Sequence, residues 1–258
     1  MFTAIGRFTF HTFTLYLSVA LLCSVAVAWL RLRRTVPARA IADAALVALV
    51  FGFVLARAEY VLLNRDLFAG NLQGVFAMRP GGMDWHGAVI GGVLGVWIVE
   101  KLRKLPAPTL LEAFAPAVPL VAFAGWTACR AVGCVYGTEV QTLALYPVWM
   151  VTEGRDIFGI VAPRYDTHTF GQVLSWVLLV MVGVFWLRDV PRNRPGVQFW
   201  LVVALFTTGM LAIGKVRGDH TPMVVGLRAD MWLDFVVLAF AIVILWRNRK
   251  SAAKVGDC

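Results

Sequence analysis

The stretch GGMDWHGAVIGG, residues 81–92, sets a histidine among glycines at the start of an apolar run that continues to Val99. Imidazole is rarely placed at the edge of a membrane segment for packing alone, so His86 is a candidate functional group. Gly87, Gly91 and Gly95 follow at four-residue spacing, which places them on one face of a helix. That spacing predicts close packing against a second helix, and it leaves His86 as the residue that carries chemistry.

The composition is too apolar for a soluble domain. Of the 258 residues, 60% are hydrophobic and 15% are charged, whereas soluble domains have about 45–50% apolar and about 25% charged residues. We therefore expect an all-α, polytopic integral membrane protein with a single transmembrane domain over residues 1–258. The formal charge is +9, but the basic residues cluster between apolar runs, which indicates a role in topology and argues against nucleic-acid binding.

We predict about seven transmembrane helices, since seven segments approach the length of about 20 residues that a spanning helix needs. They are residues 9–30, 44–63, 85–102, 109–132, 170–187, 197–216 and 229–246. Basic clusters follow the first, third, fifth and seventh segments, at residues 31–34, 101–104, 188–194 and 247–250. Because Lys and Arg resist translocation, these clusters face the cytoplasm, which puts the N-terminus outside and the C-terminus inside. Residues 137–169 then form an outer-face loop or cap.

Several ionisable side chains converge on the outer ends of these segments: Arg57, Glu59, His86, Arg130, Lys215 and Arg217. Any single arginine near a helix end commonly extends to lipid headgroups, and Glu59 is open to pairing with a nearby cation. Together, however, such cations are suited to hold a phosphate through charge-assisted hydrogen bonds. A histidine beside them, with a pKa near neutrality, is suited to accept a proton from a nucleophile.

The cysteines give a weaker signal. Cys129 and Cys134 are five residues apart, a spacing that is unlike zinc sites or CxxC redox sites. The spacing favours small packing residues over a structural disulfide, and no metal site is expected.

Six collinear segments carry a family resemblance: FVLARAEYVLLN (53–64), MDWHGAVIGG (83–92), LEAFAPAVPLVAFAG (111–125), GWTACRAVGCVYG (125–137), PRYDTHTF (163–170) and KVRGD (215–219). They resemble, in this order, elements of the prolipoprotein diacylglyceryl transferase family. The fourth aligns without gaps to the family signature G-R-x-G-N-F-x-x-G-x-x-[YW]-G. A seven-helix fold with an outer N-terminus is also what the resemblance implies.

The resemblance implies transfer of a diacylglyceryl group from phosphatidylglycerol to the cysteine thiol of a lipoprotein precursor, with His86 as the catalytic base. It implies substrate-binding roles for Arg57, Tyr136, Gly137 and Arg217. No cofactor or metal is expected, because the leaving group is already a phosphate ester. The expected partners are the phospholipid, the precursor peptide and the membrane, and the expected setting is the bacterial inner membrane, as a multi-pass monomer.

Two departures concern arginines of the family pattern. Trp126 stands at the substrate-binding arginine of the signature, and Met210 stands at an arginine seven residues before the one matched by Arg217. Cys129 also replaces the usual asparagine. Arg130 lies one helical turn after Trp126 on the same face, so we expect it to bind the phosphate in place of the missing arginine.

These departures keep two alternatives open. The first is a related phospholipid-dependent transferase with a different headgroup or acceptor. The second is a catalytically silent lipid-binding membrane protein. The joint presence of His86, Arg57, Tyr136 and Arg217 favours an enzyme. The hypothesis of a transporter has less support than either alternative, because no inverted repeat is visible in the sequence.

Overall fold

The computed structural model describes residues 2–5, 8–70, 73–76, 82–188 and 196–256. Most of the chain is helical, as the composition predicts. The helices are α1 Thr12–Leu32, α2 Ala38–Leu63, α3 Arg65–Phe68, α4 Gln73–Phe76, α5 Trp85–Arg103, α6 Ala107–Phe114, α7 Ala117–Val132, α8 Thr167–Leu187, α9 Val197–Gly214 and α10 Ala229–Gly256. Gly81, Cys258 and most of the basic cluster at residues 188–194 lie outside the described residues.

Six helical stretches among the described residues are long and apolar enough to cross a membrane. They are Thr12–Leu32, Ala38–Leu63, Ala107–Val132, Thr167–Leu187, Val197–Gly214 and Ala229–Arg249. The remaining predicted span forms α5, a helix of 19 residues whose glycines and charged C-terminal turn make it less apolar. The predicted span 109–132 is divided into α6 and α7 at Ala115 and Pro116. The chain is thus a multi-pass membrane protein, while the count of seven and the orientation stay predictions.

Three glycines bring α5 against α2, as their spacing predicts. A Cβ added to Gly87 would lie 2.3 Å from the carbonyl oxygen of Leu55, and one added to Gly91 would lie 2.2 Å from that of Phe51. A Cβ added to Gly95 would meet the Ala48 backbone at 2.6 Å. Even an alanine methyl therefore does not fit between these backbones, and the predicted packing role is confirmed.

Short antiparallel hairpins supplement the helices, which the all-helical prediction did not include. They pair β1 Phe2–Ile5 with β2 Phe8–His11, β3 Val151–Arg155 with β4 Val161–Tyr165, and β5 Met223–Val224 with β6 Leu227–Arg228. The second hairpin lies within the predicted cap, which also contains a 3₁₀ turn at Leu143–Leu145. The cap is thus folded, and it joins α7 to α8.

Cys129 and Cys134 form a disulfide at the end of α7, so the expectation of two packing thiols was wrong. The helix ends at Val132, and Gly133 then adopts a left-handed φ of +81°. The Cys134 N–H donates to the Cys129 carbonyl at 3.1 Å, so the chain folds back over the last helical turn. The spacing argument failed because this reversal brings together two residues that a continuing helix would separate.

Candidate active site

His86 lies at the first turn of α5 between two carboxylates. Its Nε2 is hydrogen-bonded to Asp234 Oδ1 at 3.0 Å, and its Nδ1 lies 2.8 Å from Glu59 Oε1. The side chains of His86, Asp234 and Glu59 are 1%, 4% and 12% exposed, respectively. The histidine is therefore a buried polar group with a partner at each ring nitrogen, and Glu59 is the most accessible of the three.

The close contact of α2 and α5 positions Glu59. Its Oε2 accepts a hydrogen bond from the Gly87 N–H, at the helix turn where the N–H groups have no intrahelical acceptor. The ring of Trp85 lies on the other side, with its centroid 4.1 Å from that of the imidazole. Backbone, carboxylate and indole together fix the plane in which the imidazole lies.

The N-terminal residues of α10 connect this histidine to a cluster of arginines. Asp230 and Asp234 are one helical turn apart and both are buried. Whereas Asp234 binds His86, Asp230 Oδ2 lies 3.0 Å from Arg217 Nη1 and 3.0 Å from Arg228 Nη2. One face of α10 thus presents its carboxylates to the catalytic candidate and to the cations.

Asp219 completes a network of two arginines and two aspartates. Arg217 donates to both of its carboxylate oxygens, at 2.9 and 2.6 Å, and Arg228 donates to its backbone carbonyl at 2.8 Å. Burial would raise the pKa of Asp219, but the Arg217 and Arg228 guanidiniums outweigh it and hold the pKa below its ordinary value. The network therefore pairs two guanidiniums with two carboxylates, and Arg217 contacts both aspartates.

The structure brings the signature glycine and tyrosine to Arg217. Gly137 and Arg217 form an antiparallel β-bridge, and the Gly218 N–H donates to the Tyr136 carbonyl at 2.8 Å. A Cβ on Gly137 would lie 2.1 Å from the Tyr165 carbonyl oxygen, which explains why a glycine is needed there. Three of the predicted substrate-binding residues therefore share one structural unit.

Arg57 organises the segment that precedes α5. Its guanidinium donates to the backbone carbonyls of Val75, Gly74 and Gly82, each at 2.9 Å. It also lies over the ring of Tyr60, 5.6 Å from the centroid. These contacts connect the C-terminal part of α2 to the start of α5, so Arg57 has a positioning role in this conformation.

Arg130 makes its side-chain contacts at the start of α8. It donates to both carboxylate oxygens of Asp166 at 2.7 and 2.9 Å and to the Thr169 hydroxyl at 2.5 Å, and its side chain is 47% exposed. Burial would raise the pKa of Asp166, but bonds from Thr169 and the charge of Arg130 outweigh it and lower the pKa. Arg130 thus extends toward the start of α8, and its guanidinium does not turn back over Trp126.

The two residues that replace family arginines meet in one apolar cluster. Trp126 and Met210 are 6% and 5% exposed and pack with Leu178, Phe206 and Ile213. The indole of Trp126 also fills the space over the α-carbon of Gly171, where an added Cβ would lie 2.0 Å from it. Both positions are therefore part of one apolar cluster, which reaches Trp85 next to the histidine.

Asp84 precedes α5 and adds a further carboxyl beside the histidine. Burial, reinforced by repulsion from Glu59, raises the pKa of Asp84 from 3.8 to about 7. Arg217 and His86 oppose this shift. A carboxyl with such a pKa changes charge within the physiological range.

Asp230 and Asp234 were not among the candidates from sequence, and Glu59 was placed among the converging groups with pairing to a cation as an alternative interpretation. The signal was present, since both aspartates interrupt the apolar run that begins at Ala229. An ionisable group at membrane depth is costly, so it indicates a functional or paired residue. This argument identified His86 in the third span, and it applies equally to the two aspartates of the last span.

Comparisons with known proteins identify the family of this chain. The family model described as prolipoprotein diacylglyceryl transferase matches residues 1–247. A phosphatidylglycerol–prolipoprotein diacylglyceryl transferase of Corynebacterium efficiens is 30% identical over 83% of this chain and 70% of its own length. Its counterpart from Shouchella clausii is 29% identical over 92% of this chain and 86% of its own length.

Proposed function

Because this chain belongs to the prolipoprotein diacylglyceryl transferase family, we propose that it transfers a diacylglyceryl group from phosphatidylglycerol to the cysteine thiol of a lipoprotein precursor. Its relatives carry that activity in their names. The single observation that carries the proposal is the buried imidazole of His86, held by carboxylates at both nitrogens. These carboxylates stabilise the imidazolium that forms when the ring accepts a proton, and they thereby make the histidine a stronger base.

The reaction requires a thiolate, which is the nucleophilic form of cysteine. His86 takes the thiol proton, and the thiolate sulfur attacks the terminal glycerol carbon of the diacylglyceryl unit. A carbon–sulfur bond forms, the carbon–oxygen bond to phosphate breaks, and glycerol phosphate leaves with the electron pair. The thiol proton enters on the Nδ1 side of the imidazole, where Glu59 is the more exposed neighbour.

The phosphate needs cationic partners, because negative charge develops on the leaving group. We assign this role to Arg217, supported by Tyr136 and Gly137 in the paired strand segments, and to the half-exposed Arg130. Arg57 supports them by holding the segment before α5 through its carbonyl contacts.

Transfer takes place at the outer face of the bacterial inner membrane in this proposal, with the N-terminus outside, the C-terminus in the cytoplasm and α5 as the seventh span. The basic clusters at 31–34 and 101–104 support this orientation. The disulfide of Cys129 and Cys134 supports it independently, since disulfides persist in oxidising compartments. The chain acts as a monomer.

One observation favours a second candidate, a related transferase with another headgroup. Trp126 and Met210 pack in the same apolar cluster, so two cations of the family pattern are replaced by a surface that attracts no phosphate. In this alternative the histidine chemistry is unchanged, and the polar part of the donor lipid differs.

Complementation of a bacterial strain depleted of its own diacylglyceryl transferase tests the proposal. The strain would express the wild-type chain, His86→Ala, or the control Asp43→Asn, whose carboxylate pairs with Arg103 far from the histidine in sequence. Growth and lipoprotein modification restored by the wild type and the control, but not by His86→Ala, are the expected result. A wild-type chain that is inserted and stable but does not restore modification would contradict the proposal.

A further inference from the structure

We propose that Asp234 is a positioning residue for His86: it holds the proton on Nε2 and thereby directs the lone pair of Nδ1 to the substrate thiol. This rests on the proposed function, but it concerns a residue outside the matched motifs. The juxtaposition that carries it is the hydrogen bond between α5 and α10, across 148 residues of sequence.

The two carboxylates beside the imidazole do not make equivalent contacts. Asp234 Oδ1 satisfies hydrogen-bond geometry with Nε2 at 3.0 Å. Glu59 Oε1 is close to Nδ1, at 2.8 Å, yet both of these atoms are buried without a directed hydrogen bond. Since the tautomer of a histidine follows the hydrogen bond that its ring nitrogen makes, Asp234 places the proton on Nε2.

Glu59 is held by a different group, which leaves the Nδ1 side open to change. Its Oε2 accepts the Gly87 N–H, so the carboxylate is anchored without the imidazole. Nδ1 thus contacts the carboxylate that the backbone already anchors and that is the more exposed of the two.

Asp234 lies where a carboxylate is costly unless it is bonded. It is 3% exposed on α10, within an apolar membrane helix, and a buried carboxylate needs a bonded or charged partner. In the part of the chain that the structure describes, its recorded hydrogen bond goes to His86. A packing role for Asp234 would not require its negative charge, whereas stabilising an imidazolium at His86 does require it.

The electrostatic surroundings of the imidazole come from four elements. Glu59 belongs to α2, Asp84 precedes α5, Arg217 follows α9, and Asp230 and Asp234 belong to α10. When Nδ1 accepts the thiol proton, the new positive charge lies next to Asp234 and Glu59. The negative charge of Asp234 therefore stabilises the protonated imidazole and makes the histidine a stronger base.

The test compares Asp234→Asn, Asp234→Glu and the control Asp43→Asn, purified in lipid nanodiscs. For Asp234→Asn we expect kcat to fall about 100-fold or more, with KM for phospholipid and for precursor peptide within about twofold, because neither substrate contacts this residue. The acid limb of the kcat/KM profile should move to lower pH by about one unit, since an opposing charge is lost. Asp234→Glu should recover part of the rate, and Asp43→Asn should behave as wild type.

A spectroscopic measurement keeps the test independent of turnover. In ¹⁵N-histidine spectra, each of the four histidines is assigned by substitution, and His86 is expected to carry its proton on Nε2. Asp234→Asn should change that signal, and Glu59→Gln should leave the Nε2 proton in place. An unchanged His86 spectrum or wild-type kcat in Asp234→Asn would overturn the inference; a wild type inactive on phosphatidylglycerol, with the spectra as expected, would instead overturn only the proposed function.

Discussion

Two neighbouring regions of this molecule differ in the side chains that they bury: one buries ionisable groups, and the other buries apolar groups. Where α2, α5 and α10 meet, His86 is buried with Glu59 and Asp234. Where α7, α8 and α9 meet, Trp126 and Met210 are buried in an apolar cluster at positions that the family pattern gives to arginine.

In the proposed mechanism, this difference assigns proton transfer to the polar region and a packing role to the apolar region. The polar region contains a histidine and its carboxylates, which are the groups that the proposal uses to activate the thiol. The apolar region contributes packing, so the phosphate must be neutralised elsewhere. Arg217 and the half-exposed Arg130 are the cations that the proposal assigns to it.

Replacing Trp126 with the arginine of the family pattern is the strongest test of whether the apolar region has only a packing role. Trp126→Arg removes an indole that is 6% exposed and buries a cation without a partner, so the free energy of unfolding should fall by about 3–5 kcal/mol. Chemical unfolding in detergent measures it, with Trp149→Arg as the control at a site that is 65% exposed. A stable Trp126→Arg variant with higher transfer activity would show that the cluster is a phosphate site.

Separating α2 from α5 tests whether helix packing builds the polar region. In Gly91→Ala the new methyl would lie 2.2 Å from the Phe51 carbonyl oxygen, so we expect a loss of about 2–3 kcal/mol in unfolding free energy and reduced transfer. Gly92→Ala is the matched control, because no atom lies within 4 Å of its added Cβ. Equal melting temperatures for the two variants would refute the packing role.

The pH dependence of stability tests how the buried charge of the polar region affects the free energy of unfolding. Because burial raises the pKa of Asp84 from 3.8 to about 7, the folded state binds more protons between these values, and stability falls as the pH rises through this range. Asp84→Asn should therefore be more stable than wild type at pH 8, by about 1.4 kcal/mol for each pH unit between the two pKa values, and nearly equal to it near pH 4.

Melting temperatures at both pH values measure this effect, with Asp66→Asn as the control at an exposed carboxyl of α3. A stabilisation of the same size at both pH values would mean that the gain comes from packing and not from the charge of Asp84.

The smallest effect on stability is expected at Arg130. Its pair with Asp166 is half exposed, so Arg130→Gln should cost at most about 1 kcal/mol of unfolding free energy. If Arg130 binds the lipid phosphate and stabilises the charge that develops on it, kcat/KM for phosphatidylglycerol should fall severalfold. Arg39→Gln, at the exposed start of α2, serves as control, and a kcat/KM unchanged in both variants would remove Arg130 from the substrate site.

The sequence was sufficient for features that depend on local spacing. Apolar runs of spanning length predicted the membrane helices, and the four-residue spacing of Gly87, Gly91 and Gly95 predicted their close packing. His86 was identifiable because an imidazole is costly at membrane depth.

The rest depends on contacts that no local pattern encodes. The partner of His86 is 148 residues away, so its identity follows from how α10 packs. The disulfide depends on the left-handed turn at Gly133. The shared packing role of Trp126 and Met210 depends on their contact in one apolar cluster, which the sequence does not show.

The most direct measurement is single-turnover transfer by the purified chain, from phosphatidylglycerol labelled in its diacylglyceryl unit to a lipoprotein-precursor peptide. Wild type and His86→Gln would be compared, with phosphatidylethanolamine as the alternative donor. The account predicts labelled thioether product and released glycerol phosphate with wild type and phosphatidylglycerol. With His86→Gln, it predicts a rate that is lower by a factor of at least about 100. Equal rates for the two proteins, or product from phosphatidylethanolamine alone, would contradict it.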